Sequence, residues 1–237
     1  MHVRNLAFDS PQPPPEALGG PERRHGGVWS LVLRPASKRA MDIALSAAML
    51  LVLLPVFLAI SAIVAADGGP AFYSHKRVGR GGRTFGCLKF RSMRTDADRL
   101  LAELLARDPS ARAEWEATRK LRRDPRVTPI GRLLRATSLD ELPQLLNVLR
   151  GDMSLVGPRP VVQEELDQHY APAAATADYL SVRPGVTGPW QVSGRSDVDY
   201  RQRVALDSQY ARNPSLRKDI MLLALTVVVV LRCRGAY

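Results

Sequence analysis

Residues 43–66 read IALSAAMLLVLLPVFLAISAIVAA, 24 residues without a charge and with Pro55 near the centre. At about 1.5 Å per residue, a continuous helix of this length would reach roughly 36 Å, enough to cross a hydrocarbon core of about 30 Å. A chain of 237 residues can hardly surround an all-round apolar helix this long, so the segment is expected in a membrane rather than in a protein core. Both flanks are basic, with Lys38 and Arg39 before the segment and Lys76, Arg77 and Arg80 after it. A spanning helix shows its cationic bias on one side only. Pro55 removes a backbone hydrogen bond and can bend the helix. Symmetric flanks and a central proline favour a helix-break-helix hairpin that enters and leaves by the cytoplasmic face, with a Pro-kinked spanning helix as the alternative.

Upstream, residues 1–36 contain PQPPPEALGGPERRHGG, too rich in Pro and Gly to pack, and no apolar run there fits a signal peptide. This stretch is read as a disordered tail. Its four arginines and three acids leave +1, so +10 of the net charge of +11 rests on the rest of the chain. Such basicity implies an anionic partner: nucleic acid, a lipid surface or a phosphorylated substrate. The hydrophobic fraction of 46% permits a real core. Two cysteines, Cys87 and Cys233, stand in no metal-ligand or disulfide spacing, which fits a reducing cytoplasm.

Downstream, GPAFYSHKRVGRGGRTFGCLKFRSMR reads as two strands joined at residues 79–82 by a Gly-rich turn. Residues 75–94 hold seven Lys or Arg and no acid, which suits anionic lipid headgroups. Lys89 and Arg91 alternate with Phe90, so on a strand both cations would share one face, an arrangement suited to phosphate. Residues 95–120 read as helical with a break at Asp108-Pro109, and residues 161–170 and 198–212 read as amphipathic helices. The segment RPGVTGPWQVSGR (183–195) is turn-rich. Residues 220–231 (IMLLALTVVVVL) are apolar but too short to span, which makes them a core or interfacial helix. The chain shows no internal repeat.

The stretch from Thr137 to Pro160, TSLDELPQLLNVLRGDMSLVGPRP, carries the chemistry. Ser138 and Glu141 match a capping box, and acids suit a first helical turn, so Asp140 and Glu141 have a purely structural reading. Pro143 is tolerated only near a helix start and pins that start at the Asp-Glu pair, with Leu142, Leu145, Leu146 and Leu149 as the docking stripe. Gly151 stops the helix, residues 153–156 form a short strand, and Gly157-Pro-Arg-Pro holds Arg159 in a rigid turn. Carboxylates among Arg135 and Arg159 at a helix end suit a phosphate ester with a divalent cation. Two adjacent acids, Asp140 and Glu141, match Mg2+, which takes one or two carboxylates and completes its shell with substrate phosphate and water.

The run Lys38-Arg39-x-x-Asp42 before an apolar helix with a central Pro, then GPAFYSHKRVGRGG, KFRSM, SLDELPQLLNVLRGDMSLVGPRP, RPGVTG and the closing GAY, resembles the bacterial sugar transferase family over residues 37–237. These are monotopic polyprenyl-phosphate phosphoglycosyl transferases that start exopolysaccharide, capsule or O-antigen assembly. The resemblance implies an α+β, mostly helical monotopic membrane protein with a re-entrant membrane helix broken at Pro55, a small β-hairpin and interfacial amphipathic helices. It divides the chain into the tail (1–36), the membrane-embedded segment (37–74) and a cytoplasmic catalytic domain (75–237) at the bacterial inner membrane. It further implies Mg2+-dependent, two-step transfer of a sugar 1-phosphate from a UDP-sugar to undecaprenyl phosphate, with Asp140 as nucleophile and Glu141 beside it. The family's phosphate-contacting arginines map onto Arg135, Arg159 and Arg195, and an acid in the following helix onto Asp207. Where the family often reads TGWAQVNGR this chain has TGPWQVSGR, so the contacts of that loop do not carry over directly. The chain resembles the minimal catalytic form, and the GAY ending is similar to that of members handling glucose or galactose.

Two other readings compete. A non-enzymatic module binding anionic lipid or nucleic acid would explain the charge and the apolar helix, but an acidic dyad repels phosphate unless a metal intervenes. No nucleic-acid motif of recognisable spacing is present, so nucleic acid is not an expected partner. A membrane phosphohydrolase would share the phosphate chemistry, with water as acceptor. The sequence leaves a homodimer open.

Overall fold

The computed structural model describes residues 28–118, 121–193 and 199–231, so Arg195 and Cys233 lie outside the described residues, as does most of the tail. Helix α1 (Val28–Val52) is followed by α2 (Leu54–Ala65), with a 66° bend at the break. Pro55 sits in the first turn of α2, where its missing N–H and its ring prevent the ladder of α1 from continuing. Among the described residues no single helix is long and apolar enough to cross a membrane, whereas the bent pair together is, by length and composition. Helix α1 reaches back to Val28, into the stretch read as tail, and runs through Pro35.

The amphipathicity of α1 is inverted. Asp42 and Ser46 are buried, whereas Ile43, Leu45, Met49, Leu51 and Val52 are exposed. Lys38, Arg39, Asp42 and Ser46 share one helical face, and that face docks on the domain. Lys38 Nζ donates to Val156 O at 3.1 Å and pairs with Asp219 at 2.8 Å. Arg39 donates to Val148 O at 2.6 Å and Leu149 O at 2.9 Å, and Asp42 Oδ1 accepts from Leu155 N at 3.1 Å.

Strands β1 (Phe72–Val78) and β2 (Thr84–Phe90) form the expected antiparallel hairpin, in register from Phe72↔Phe90 to Val78↔Thr84. Gly81 and Gly82 take the positive φ values of 68° and 80° that its turn requires. Phe57 of α2 packs on Phe90 and Phe72, with ring centroids 5.0 and 5.7 Å away, so the hairpin is fastened to the bent pair. The strand ends at Phe90, and the alternation expected to align Arg91 with Lys89 ends with it. Arg91 instead lies buried under the end of α2, donating to Val64 O and Pro70 O at 2.7 Å each and forking onto Asp67. The open carbonyls of a helix C-terminus attract a guanidinium, and this one supports structure rather than the candidate site.

Helices α3 (Ala97–Arg107) and α4 (Pro109–Thr118) are split at Asp108, as the sequence implied, with the Asp108 carboxylate accepting from Ser110 N at 2.8 Å. Helix α5 (Pro129–Thr137) is capped by Thr128, and α6 (Gln144–Arg150) ends at Gly151, whose φ is 96°. The stripe assigned to α6 is corrected: Gln144, Leu145, Asn147 and Val148 are buried, whereas Leu146 and Leu149 are only partly so. Helix α6 is wedged between α1 and β2 and buries polar as well as apolar residues. Asn147 links these elements, accepting from Leu88 N at 2.9 Å and donating to Gly86 O at 2.8 Å.

Strand β3 (Ser154–Val156) pairs in parallel with β4 (Gly185–Thr187), a strand that the turn-rich reading of residues 183–195 missed. Gly157 and Gly185 permit the crossing, since a Cβ on Gly157 would lie 2.4 Å from Arg183 O and one on Gly185 2.1 Å from Gly157 N. Between the strands, α7 (Gln163–Glu165) runs into a π-turn (Leu166–Tyr170) where one amphipathic helix was expected, followed by α8 (Thr176–Ser181). Beyond them come α9 (Pro189–Val192), α10 (Tyr200–Arg212) and α11 (Leu216–Leu231). The largest core cluster joins Leu145, Val148, Met153, Leu155, Tyr210 and Leu222, with Leu50 of α1 packed against it.

Arg91→Ala should lower unfolding stability by about 2 kcal/mol, because it strands buried carbonyls at the end of α2. Chemical unfolding of the detergent-solubilised chain measures this. A stability equal to wild type would contradict the structural role.

Candidate active site

The acidic pair does not open an α-helix. Ser138 adopts the left-handed conformation (φ 59°, ψ 15°) that ends α5, with its N–H on Arg135 O at 3.2 Å, and its side chain makes no cap hydrogen bond. The expected capping box is therefore absent. Asp140 and Glu141 lie in a 3-10 turn (Leu139–Glu141), and α6 starts after Pro143. The proline fixes the start of α6 as the sequence suggested, but three residues beyond the dyad. The reason is that α5 must close in αL before the chain can turn into α6.

Lys89, near the end of β2, supplies the central cation. Its Nζ donates to Glu141 Oε1 at 2.7 Å and lies 3.5 Å from Asp140 Oδ2. Arg159 Nη1 stands 3.9 Å from the same Glu141 oxygen. Arg135 is in the last turn of α5, its Nε donating to Ser92 Oγ at 2.9 Å. The cleft beside the dyad is lined by Arg77, Lys89, Glu141, Arg159 and Gln191. Burial pushes the Asp140 carboxyl above its ordinary range and Glu141 adds to the push, while Lys89 and Arg135 draw it back. Two close carboxylates repel one another, and the ammonium between them offsets that repulsion.

Of the residues marked in the sequence, the structure brings Asp140, Glu141, Lys89 and Arg159 together, with Arg135 close enough for its charge to act on Asp140. Arg91 is elsewhere, and Arg195 is outside the described residues. Asp207 lies on α10, 1% exposed, accepting from Tyr170 Oη at 2.8 Å. Burial pushes its carboxyl up to about 7, against the hydrogen bond from Tyr170 and the fields of Arg203 and Arg159.

Sequence reasoning missed Asn147, Gln191, Trp190 and Arg203. Asn147 was visible as a polar residue inside the apolar run LLNVLR. Arg203 carried no signal, since an arginine on an amphipathic helix reads as solvated. Arg203 is 8% exposed, and its guanidinium sits 4.7 Å from the ring centroids of both Trp190 and Tyr200. Trp190 in turn lies 5.8 Å from the guanidinium of Arg159.

The described residues contain no group of three or more His, Cys, Asp or Glu arranged to hold a metal. Asp140 and Glu141 still fit a hard cation that completes its shell from substrate phosphate, because their oxygens already gather a positive group, the Lys89 ammonium.

Carboxylates held among cations beside a cleft are suited to handling phosphate esters, and sequence comparison agrees with that class. Residues 33–233 match the bacterial sugar transferase family, and the chain belongs to it. It is 54% identical over 200 residues to the undecaprenyl-phosphate galactose phosphotransferase of Salmonella typhimurium, covering 84% of this chain and 41% of that protein. It is 50% identical over 202 residues to the exopolysaccharide production protein ExoY of Sinorhizobium fredii, covering 85% and 88%. It is 39% identical over 220 residues to the UDP-glucose:undecaprenyl-phosphate glucose-1-phosphate transferase of Caulobacter vibrioides, covering 90% and 77%. The chain thus spans less than half the length of the Salmonella relative.

Asp207 gives the site a pH signature. The folded state holds its proton more tightly than the unfolded chain, where the value is near 3.8. Its stabilising contribution is full below about pH 4 and is lost as pH rises through about 7. Asp207→Asn should therefore flatten the fall in stability between pH 5 and 8 and raise the thermal midpoint at pH 8 by several degrees. Unfolding curves across that range check it, and an unchanged slope would show that Asp207 ionises without cost.

Proposed function

We propose that this chain transfers a sugar 1-phosphate from a UDP-hexose, with glucose or galactose as the leading candidates, to undecaprenyl phosphate, giving undecaprenyl-diphospho-sugar and UMP. This would be the first membrane step of exopolysaccharide, capsule or O-antigen synthesis. One observation carries the reading: the Asp140–Glu141 pair is masked by Lys89 and Arg159 beside a cleft, so a carboxylate and an anionic donor can approach one another. The names of the relatives support the lipid acceptor and the hexose donor.

In the proposed first step, an Asp140 oxygen attacks the sugar-bearing phosphorus, the bond to UMP breaks, and UMP leaves. An acyl-phosphate sugar remains on Asp140. In the second step an oxygen of the lipid phosphate attacks the same phosphorus and the bond to Asp140 breaks, which restores the carboxylate. Lys89 and Arg159 stabilise charge developing on the phosphoryl oxygens, and Arg135 favours the ionised form of Asp140 through its field. Mg2+ would be held by Asp140 and Glu141 and would supply further neutralisation of phosphate charge.

The bent pair α1–α2 is proposed as a re-entrant hairpin whose exposed apolar face meets lipid, with the catalytic domain on the cytoplasmic face of the inner membrane. The basic hairpin would rest on anionic headgroups. Cysteines introduced at Ser37 and Ser74 should resist an impermeant reagent in spheroplasts. Labelling of either from outside would rule out the re-entrant arrangement.

Exchange tests the chemistry without the lipid. Purified, lipid-depleted protein should incorporate labelled UMP into UDP-hexose, and Asp140→Asn should abolish both exchange and the covalent adduct. Protein that binds UDP-hexose but shows neither would reduce Asp140 to a binding group. Arg159→Ala should lower turnover by about 10²–10³-fold, with partial rescue by Arg159→Lys. Lys89→Met removes a cation that lowers the Asp140 value, so the acid limb of the pH-rate profile should move to higher pH.

A further inference from the structure

Beyond the phosphate-handling dyad, the structure holds a second polar cluster for which the reaction as proposed has no use. Trp190 Nε1, Gln191 Oε1, Arg203 Nε and Nη2, and Asp207 Oδ1 are buried without a hydrogen-bond partner among the described residues. Arg203 is 8% exposed and Asp207 1%. An unpaired buried polar atom costs about 1–3 kcal/mol, and more for a charged group, so such a concentration in one place is not an accident of packing. The cluster is also firmly built. The guanidinium of Arg203 is 4.7 Å from each of the Trp190 and Tyr200 ring centroids, and Asp207 is held by the Tyr170 hydroxyl at 2.8 Å. Tyr170 belongs to a π-turn, an arrangement frequent at functional sites.

The cluster adjoins the cleft. Gln191 lines it together with Lys89, Glu141 and Arg159, and Arg159 reaches across to Trp190. The unpaired atoms comprise donors, from Arg203 and Trp190, and acceptors, from Asp207 and Gln191. A phosphate only accepts, so it could satisfy the donors but would leave Gln191 Oε1 and Asp207 Oδ1 unmatched. A nucleobase would need an aromatic face, and the rings of Trp190 and Tyr200 are engaged by Arg203. Hydroxyl groups, each both donor and acceptor, satisfy the whole set.

We infer that Arg203, with Trp190, Gln191 and Asp207, forms a hydroxyl-recognition subsite for the hexosyl group of the donor, and that Arg203 is a specificity-determining residue. This rests on the transferase reading above. A site built to pair with hydroxyls discriminates sharply, because a misplaced hydroxyl leaves buried polar groups unpaired. Ribose hydroxyls have the same chemistry, so the test must separate the two sources.

The full chain in detergent, with undecaprenyl phosphate, is assayed for UMP release from a panel of UDP-hexoses and UDP-N-acetylhexosamines. The two donors that the wild type separates most are then compared in variants, alongside inhibition by UMP, which carries ribose but no hexose. Arg203→Gln should lower kcat/KM for the preferred donor by roughly 10-fold or more and bring the ratio between donors toward one, with UMP inhibition unchanged. Trp190→Phe keeps a ring and removes only the unpaired N–H, so it remains informative if Arg203→Gln does not fold, and it should narrow the ratio in the same sense. Ratios preserved in the folded variants, a wild type that separates no donors, or UMP inhibition weakened in parallel would overturn the subsite. Wild type that releases UMP from no donor would instead overturn the transferase reading itself.

Discussion

The polar face of α1 is the fastening on which the rest of this structure depends. Lys38, Arg39 and Asp42 reach, respectively, Val156 O and Asp219, the final carbonyls of α6, and Leu155 N. One helical face therefore fixes α6, β3 and α11 together. Each contact engages a backbone group or a buried charge of another element, and the basic side chains complement the carbonyl end of α6. Because the polar face of α1 is used inward, its Ile43, Leu45, Met49, Leu51 and Val52 are left exposed. A soluble helix does the opposite.

That fastening sets the site. Helix α6 is gripped by Arg39 at its C-terminal carbonyls and by Asn147 along β2, so the 3-10 turn before it and the end of β2 are held in one register. Lys89 consequently meets Asp140 and Glu141 without a flexible loop between them. The dyad is a tension in electrostatic terms, with Asp140 pushed up by burial and by Glu141, and the lysine is the cation that offsets it. A second tension lies behind Arg159, where Asp207 and Arg203 are buried with atoms that have no hydrogen-bond partner among the described residues. Stability alone would select against both, and both adjoin the same cleft.

Much of this was written locally in the chain. The uncharged run with its central Pro55, the Gly-rich hairpin turn, the split at Asp108-Pro109 and the stop at Gly151 all act within a few residues, through φ limits and missing donors, and each is found where the sequence put it. The adjacent carboxylates and their neighbouring arginines were also legible, because acids and arginines that close in sequence, at a start pinned by Pro143, outweigh the structural reading of a cap. What failed were inferences that extended a local pattern past an element's end. Strand alternation was carried one residue beyond Phe90 and misplaced Arg91, and a capping box was read where Ser138 instead closes the preceding helix.

By itself the sequence determined the bent apolar pair, the basic hairpin and the acidic dyad, since these follow from composition and backbone chemistry over short spans. Only the tertiary structure decided that Lys89 rather than Arg91 faces the dyad, that β3 finds β4 thirty residues on, and that an arginine of an ordinary-looking helix is buried between two rings. The reason is physical. Which cation pairs with which carboxylate, and which polar group loses its water, depends on contacts between elements distant in the chain, and no periodicity within one element encodes them.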